Sequence, residues 1–539
     1  MSRQIPLLLA LLAVLGLPIF LRPKGLDLGA GAGRTVVIIS PHNESIRSEL
    51  GRAFEAWYQA RRGQQVHVDW RTPGGTSEIA RYVDSEYVGA FEHYWKDTLH
   101  RPWSSAVEAS FASRKVTLNA DPAQDSVEQQ ARRAFLDSAV SCKLDLFFGG
   151  GAFDFQQASG KGQLVDCGFL KAHPEMFGDG PGQIPKIVGG EAYWDPQGRW
   201  IGTAISAFGI CYNTDVLKRR GLPSPVTWSD LGSPGYAHGI ALANPTQSGS
   251  MTKALEMLIQ QQMQERVTKA RALGDVSPDL EKKAVAEGWS DAMRLLMRIG
   301  ANARYFTDSS GKISLDVAAG EAAAGMVIDF YGRFESEAVR EPDGYSRLQY
   351  VDAEGGTSYG VDPIGLFRGA PNADVARDFI DFVMSPEGQK LWNWKVGVAG
   401  GPRKYALRRL PVLPALYAPE FRDLRTDPDV NPYELAKKFT YHDAWTGPLF
   451  RQIAFVFRVM CIDPHEELQS AWDALSKAQF PVEAMNVFQD VSVVDYAVAT
   501  GRMRDALGGD KIREVQLAKE LADHFRAQYA RARELAGGS

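Results

Sequence analysis

Cysteine and concentrated positive charge are both scarce in this sequence. Four cysteines occur among 539 residues with no C-x-x-C pair, which excludes a small scaffold held together by disulfide bonds. Cys142 and Cys167 either pair or belong to a set of buried free thiols. The 60 Lys and Arg residues are outnumbered by 65 Asp and Glu residues, and no basic run is longer than three. A protein that binds duplex DNA usually concentrates basic charge on one surface, so we expect no nucleic-acid partner.

Two familiar catalytic motifs are incomplete in this sequence. His465-Glu466-Glu467 lacks the second histidine of an H-E-x-x-H zinc site. Gly311-Lys312-Ile313 lacks the first glycine and the hydroxyl of a phosphate-binding P-loop. We therefore expect a protein that is not an enzyme, with a hydrolase of unrecognised site as the alternative.

One long hydrophobic run is present, at 5–21 (IPLLLALLAVLGLPIFL), and basic residues flank it. This pattern is typical of a secretory signal, and Ala30-Gly31-Ala32 offers a small-x-small cleavage site. The run also reaches the shortest length that crosses a bilayer, so an uncleaved anchor is the alternative. We expect 1–32 to be a signal peptide or an N-terminal membrane anchor. The rest is then periplasmic or otherwise extracytoplasmic, either free or anchored to the inner membrane.

The following sequence alternates between strand and helix patterns. The run 35–40 (TVVIIS) indicates a buried strand, 43–62 an amphipathic helix, and 65–70 a second strand. This alternation of strands and helices is typical of an α/β fold with a parallel sheet. Residues 85–133 interrupt this alternation, so we interpret them as an insertion. From residue 400 onward the pattern is helical.

Small polar residues fill four loops that follow predicted strands, at 40–43, 149–151, 246–250 and 329–333. Ligands in open α/β sheets bind beyond the carboxyl ends of the strands, so we expect these loops to line the site. Ser248-Gly249-Ser250 precede an amphipathic helix, whose free amides and dipole suit a carboxylate, phosphate or carbonate. A plain helix N-cap explains the same residues equally well.

Two of these loops carry residues that suit a metal ion or a charged group. His42 is either a metal ligand, a hydrogen-bond donor or a surface capping residue. Asp329 and Tyr331 flank Phe330, so in extended backbone both project to one side as oxygen ligands for a hard cation. The carboxylate alone suits an ammonium group, and the alternative is a strand end whose tyrosine packs at the surface. Arg333 either pairs with Asp329 or binds an anion.

Five stretches of sequence occur together in an order known from one protein family. They are 209–223 (GICYNTDVL and then GLP), 227–231 (TWSDL), 240–250 (IALANPTQSGS), 320–331, and 376–391 (ARDFIDFVMSPEGQKL). In this order they resemble the substrate-binding proteins of bacterial ABC importers. More narrowly, they resemble the type II group that includes binders of ferric iron, thiamine, polyamines and phosphonates.

The resemblance implies an α/β, two-lobed periplasmic binding protein type II fold with hinge strands and a helical C-terminal extension. The first lobe is expected to contain 33–203, with the insertion 85–133, and 358–397. The second lobe is expected to contain 204–357 and 398–539, which includes the helical tail. The ligand is expected in the cleft between the lobes.

The same resemblance assigns roles to the strand-end loops. Ser248-Gly249-Ser250 match the segment that holds an anion in iron-binding relatives, and His42 lies near the histidine ligand of some of them. Those relatives carry paired tyrosines where this chain has Phe330 and Tyr331, and a glutamate where it has Gly149-Gly150. The expected metal ligands are His42, Asp329 and Tyr331. The expected ligand-binding residues are His42, Asn43, Gly150, Thr246, Ser248, Gly249, Ser250, Asp329, Tyr331 and Arg333.

The resemblance therefore predicts an extracytoplasmic solute-binding component of an ABC import system, whose partner is an ABC permease in the inner membrane. It requires no cofactor, and its first candidate ligand is Fe(III) with a synergistic anion as cargo. A small phosphorylated or amine-bearing organic solute, such as a phosphonate, thiamine or a polyamine, is the second. The remaining alternatives are a membrane-tethered sensor or structural subunit of the same fold and an unrecognised periplasmic hydrolase.

Overall fold

The structure, a computed structural model, describes residues 33–272, 277–509 and 511–537. The predicted signal peptide or anchor at 1–32 lies outside these ranges. Across the described residues, no helix is both long enough and apolar enough to cross a membrane. The four cysteines are buried free thiols, so Cys142 and Cys167 do not pair.

The first strand–helix–strand unit forms as predicted, because its capping residues and its apolar pattern agree. Strand β1 (Arg34–Ile39) pairs in parallel with β2 (Val66–Arg71). Between them, helix α1 (Glu44–Arg62) begins at Asn43, whose side chain accepts a hydrogen bond from the Ile46 amide over 3.0 Å. The helix buries its apolar face and ends at Gly63, whose φ of +67° suits glycine.

The first sheet gathers strands from distant parts of the chain. The strands beyond β1 and β2 are β3 (Leu146–Phe148), β4 (Leu164–Val165), β7 (Ile201–Ser206), β13 (Gly360–Phe367) and β14 (Leu410–Pro411). The strand order is β14-β7-β13-β3-β1-β2, with β4 also paired to β13. The pairs β1–β2 and β1–β3 are parallel, whereas β13 is antiparallel to β3, β4 and β7.

The second sheet consists of β8 (Phe208–Asn213), β9 (Ile240–Ala243), β10 (Ala303–Thr307), β11 (Ala324–Ile328) and β12 (Leu348–Asp352). Its strand order is β10-β9-β11-β8-β12. Strands β10, β9 and β11 are parallel, and β8 is antiparallel to both β11 and β12. A separate hairpin pairs β5 (Ile187–Val188) with β6 (Glu191–Ala192).

The chain passes from the first sheet to the second at Ala207, between β7 and β8, and it returns at 353–359, between β12 and β13. This arrangement of two sheets with helices is the two-lobed periplasmic binding protein fold. The expected lobe division needs one correction, because it assigned everything after residue 397 to the second lobe. Strand β14 follows that point and still pairs with β7 at the edge of the first sheet.

Helices cover both sheets, and a helical region follows the last strand. In chain order the further helices are α2 (Thr76–His93), α3 (Ser105–Ser110), α4 (Val127–Asp137), α5 (Ala152–Lys161), α6 (Phe169–Ala172), α7 (Thr214–Arg220), α8 (Gly249–Ala272), α9 (Pro278–Asn302), α10 (Gly311–Ala319), α11 (Asp329–Ala338), α12 (Ala373–Met384), α13 (Pro386–Asn393), α14 (Pro432–Leu435), α15 (Asp443–Thr446), α16 (Phe450–Phe457), α17 (His465–Lys477), α18 (Val482–Phe488), α19 (Tyr496–Val498), α20 (Arg504–Leu507) and α21 (Lys511–Leu535).

The insertion (85–133) and the tail, which is the region after the last strand (412–509 and 511–537), are integral parts of the packed structure. Within the insertion, Phe91 stacks on Phe111 with ring centroids 4.7 Å apart and also contacts Phe135 of the first lobe. In the tail, α17 and α18 pack against α21, and α17 also packs against α9 of the second lobe. The helical C-terminal extension is therefore confirmed.

Candidate functional site

A cleft of about 1640 Å³ lies between the two lobes. The first lobe lines it with 40–42, which follow β1, and with Gly150, which follows β3. The second lobe lines it with 248–250, which follow β9. These loops follow the carboxyl ends of strands, which is where α/β sheets bind ligands.

The floor of the cleft holds Arg409, a fully buried arginine. Its guanidinium pairs with Asp362, donates a hydrogen bond to the Ser206 hydroxyl over 2.5 Å, and lies 4.2 Å from the centre of the Phe330 ring. Its Nε and Nη1 atoms have no hydrogen-bond partner among the described residues. An unpaired buried donor costs about 1–3 kcal/mol, so this position favours a ligand or water that supplies an acceptor.

His42 lies beside this ion pair, with Nε2 3.5 Å from Oδ2 of Asp362. Burial lowers the pKa of His42, Asp362 opposes that shift, and the positive charge of Arg409 adds to it. Burial raises the pKa of Asp362, but Arg409 and His42 outweigh this effect, so the pKa lies below its ordinary value. At neutral pH the floor therefore holds a neutral imidazole beside a carboxylate–guanidinium pair.

Close packing explains the glycines that follow β3. A Cβ atom on Gly149 would lie 2.5 Å from two atoms of the His42 ring, and one on Gly150 would lie 2.5 Å from Cγ2 of Thr76. Both glycines also have positive φ values, +88° and +110°, which other residues rarely adopt. The loop therefore needs glycine to let His42 and Thr76 approach it.

Two helix N-termini of the second lobe, those of α8 and α10, form one wall of the cleft. Neither helix has an acidic residue in its first turn. The hydroxyl oxygens of Ser248 and Ser310 are 2.8 Å apart, which places the two helix starts side by side. Because the N-terminus of a helix carries free amides and partial positive charge, this wall suits a phosphate or a carboxylate.

Tyr331 connects the floor to that wall. Its ring centroid is 4.2 Å from that of Phe330, and a Cβ atom on Gly311, the first residue of α10, would lie 3.5 Å from its Cζ atom. Burial raises the pKa of Tyr331. The side chain therefore presents a neutral hydroxyl at neutral pH.

The facing wall in the first lobe has a different charge. Helices α2 and α5 also begin at the cleft, but each carries an acid in its first turn, Glu78 and Asp154 respectively. Burial raises the pKa of Asp154 to about 6, although a hydrogen bond with Thr76 opposes the shift. The two helix starts of the second lobe thus attract anions, whereas the facing helices of the first lobe carry carboxylates. In the second lobe Asp308 also lines the cleft, where it pairs with Lys312 over 2.6 Å.

Six of the ten predicted ligand-binding residues line this cleft, namely His42, Gly150, Ser248, Gly249, Ser250 and Tyr331. Asn43 does not line it, because its side chain caps α1. Thr246 is exposed outside the cleft, where its hydroxyl donates to Oδ1 of Asn244 over 2.8 Å. Sequence patterns do not distinguish a loop side chain that caps its own backbone from one that faces a ligand.

The placement of Asp329 and Arg333 corrects the prediction made for the loop 329–333. The extended strand ends at Ile328 and α11 begins at Asp329, so Asp329 and Tyr331 do not alternate as they would in a strand. Asp329 is fully buried behind the cleft, with neither oxygen hydrogen-bonded and one of them 3.9 Å from Nε of Arg333. The proposed metal ligands therefore do not converge, because Asp329 is absent from the cleft that His42 and Tyr331 line.

Arg333 is the centre of a buried charge cluster, also outside the cleft. It lies 3.6 Å from both Asp352 and Asp427 in addition to its contact with Asp329. Burial raises the pKa of Asp329 to about 7, against the attraction of Arg333. In the part of the chain that the structure describes, no group of three or more His, Cys, Asp or Glu side chains could hold a metal ion.

The sequence contains one G-x-S-x-G segment, at 356–360. In hydrolases this motif exposes its serine on a turn between a strand and a helix. Here Ser358 is 2% exposed, its hydroxyl donates to Oε1 of Glu191 over 2.5 Å, and the segment leads into β13 instead of a helix. The segment lacks the geometry of a catalytic nucleophile.

Sequence reasoning missed Arg409, Asp362 and Lys253. Lys253 lines the cleft and pairs with Glu191 over 2.9 Å and with Glu256 over 3.0 Å. Asp362 and Arg409 are far apart in the sequence, as are Lys253 and Glu191, whereas Glu256 follows Lys253 by three residues. The one available signal was the charge of Asp362, a carboxylate inside an otherwise apolar strand.

Comparisons with known proteins agree with this architecture. Residues 137–397 match the family of bacterial extracellular solute-binding proteins. The phosphoglycerate transport regulatory protein PgtC of Salmonella typhimurium is 25% identical over 194 residues, which cover 35% of this chain and 40% of PgtC. An uncharacterized protein of Haemophilus influenzae is 26% identical over 262 residues, which cover 47% of this chain and 62% of that protein. The chain thus spans less than two thirds of the length of either relative.

The solved structures to which the chain is similar include two periplasmic binding proteins. AfuA from Actinobacillus pleuropneumoniae, with fructose-6-phosphate bound, has a TM-score of 0.47 at 18% identity, covering 83% of this chain and 99% of AfuA. Iron-bound HitA from Pseudomonas aeruginosa has a TM-score of 0.46 at 14% identity, covering 79% of this chain and 98% of HitA. The match to the bacterial extracellular solute-binding proteins covers residues 137–397, which is just under half of this chain.

Proposed function

We propose that the chain is the extracytoplasmic solute-binding component of an ABC import system and that it captures a small organic anion, with a phosphate group as the first choice. The observation that carries this proposal is the wall formed by the starts of α8 and α10, next to a buried arginine with two unpaired donors. Closure of the two lobes around the solute would be the signal to an ABC permease.

The charges at the floor favour an anion over ferric iron. Asp362, the carboxylate nearest to His42, already pairs with the guanidinium of Arg409, whose charge repels a trivalent cation. Tyr331 is costly to ionise because burial raises its pKa, whereas iron prefers phenolate oxygen. The name of PgtC, a phosphoglycerate transport regulatory protein, also supports a phosphorylated solute.

Calorimetry on refolded, ligand-free protein tests the proposal with three probes: inorganic phosphate, 3-phosphoglycerate and ferric citrate. The variant Ser250→Asp places a carboxylate in the first turn of α8, where it favours the helix but repels an anion. We expect it to weaken phosphate binding about 10-fold or more, the effect of losing one hydrogen bond to a charged group, about 1.5–3 kcal/mol.

The matched control is Ser105→Asp, an exposed serine at the start of α3 that does not line the cleft. It should bind phosphate as the wild type does, and both variants should unfold at or above the wild-type temperature. If the wild type binds ferric citrate and neither phosphate compound, or if Ser250→Asp binds phosphate normally, the anion assignment is wrong.

A further inference from the structure

The insertion and the tail, which lie far apart in the sequence, both reach the cleft. The insertion contributes Arg114 and Lys115, and the tail contributes Phe450, Arg451 and Arg504. Neither segment supplies the floor or the paired helix starts of α8 and α10. They therefore extend the cleft beyond the part that holds the first anionic group.

Specific contacts hold the tail in this position. Phe450 stacks on Phe153 of α5, with ring centroids 4.5 Å apart. The amide of Tyr441 donates to the Gly189 carbonyl over 2.7 Å, and its hydroxyl donates to Oε1 of Glu256 in α8 over 2.9 Å. The tail thus contacts residues from both lobes and forms a third side of the cleft.

Three basic side chains that the insertion and the tail contribute to the cleft have no counter-charge among the described residues. Arg114, Lys115 and Arg504 are exposed, and none forms a side-chain hydrogen bond or ion pair with another described residue. By contrast, Arg451 in the same region pairs with Glu514 over 2.6 Å. The acids that also line this part, Asp443 and Asp505, form no ion pair with any of the three. Unpaired basic groups at the edge of a cleft favour an anion there.

The size of the cleft agrees with a ligand that reaches this region. Pockets for small organic molecules measure about 300–1,000 Å³, whereas this cleft measures about 1640 Å³. A single phosphate or a metal ion with its anion would fill only the inner end.

We infer that the insertion and the tail form an outer subsite, in which Arg114, Lys115 and Arg504 bind a second anionic group of an elongated solute. This inference rests on the proposed function, because the first anionic group of the solute occupies the helix starts of α8 and α10. The transported class is then a solute with two separated anionic groups, such as a sugar bisphosphate or a phosphorylated acid.

Calorimetry with inorganic phosphate, fructose 6-phosphate and fructose 1,6-bisphosphate tests the outer subsite. We expect the wild type to bind the bisphosphate at least tenfold more tightly than the monophosphate. The double variant Lys115→Gln/Arg504→Gln should reduce that preference to less than threefold and leave the affinity for inorganic phosphate unchanged. Arg513→Gln, an exposed arginine of the tail outside the cleft, is the control and should change nothing.

The possible outcomes distinguish a failure of the outer subsite from a failure of the proposed function. If the wild type binds both phosphate esters equally, or if the double variant keeps the preference for the bisphosphate, the outer subsite is refuted and the proposed function stands. If the wild type binds none of the three compounds, both the subsite and the anion assignment are refuted.

Discussion

The buried carboxyl group of Asp329 should make the stability of this protein depend on pH near neutrality. Its side chain is fully buried, has no hydrogen-bond partner among the described residues, and is only loosely paired with Arg333 at 3.9 Å. Burial raises its pKa from 3.8 to about 7. The folded state therefore holds a proton that the unfolded chain releases.

The magnitude follows from proton linkage. A raised folded-state pKa contributes stability that is fully present below the unfolded pKa and is lost as the pH rises through the folded pKa. A shift of one pKa unit corresponds to about 1.4 kcal/mol, so raising the pH from 5 to 8 should remove roughly 3 kcal/mol of the wild-type stability through this group.

The variant Asp329→Asn, which cannot ionise, should escape this loss. In urea unfolding experiments, the free energy of unfolding of the variant relative to that of the wild type should increase by roughly 3 kcal/mol from pH 5 to pH 8. Asp179→Asn, at an exposed loop position, is the control and should follow the wild type. If the wild type and Asp329→Asn lose the same stability between pH 5 and pH 8, the carboxyl group is not the protonated, buried group described above.

Two further substitutions test the packing around the cleft. Gly149→Ala should lower the free energy of unfolding by about 1–3 kcal/mol because of the strained backbone, and further because of the clash with His42. The control Gly63→Ala also has positive φ but lies in open space, so thermal unfolding should show only the backbone cost. A double-mutant cycle of Phe153→Ala and Phe450→Ala should give a coupling of about 0.5–1.5 kcal/mol in unfolding experiments, and additive effects would mean that this stack does not hold the tail.

The sequence was sufficient to predict the elements whose patterns are local. The strands β1 and β9 are short apolar runs with turn residues after them, and α1 has both a capping residue and a terminal glycine. Because these patterns depend only on residues a few positions away, they can be recognised without knowledge of the fold. Once these strands are recognised, the rule that α/β sheets bind ligands beyond the carboxyl ends of their strands predicts that the loops 40–43, 149–151 and 246–250 line one site.

Features that depend on distant partners could not be predicted. From the sequence alone, Arg409 would be expected on the surface, because its buried partners Asp362 and Ser206 are far away in the sequence. Asp329 was assigned to an extended strand because apolar residues precede it, yet a helix begins at that residue. Because the backbone changes from strand to helix at Asp329, its carboxylate lies in the interior instead of the cleft.

The order of strands in the first sheet imposes an order of assembly. Its central strand β13 lies between β7 and β3, although all five strands of the other sheet come before it in the chain. The first sheet can close only after a ribosome has made the five strands of the second sheet. Contacts of such large sequence separation form slowly, so we expect β1, β2, β3 and β7 of a nascent chain to stay without their central strand while the second sheet is already complete.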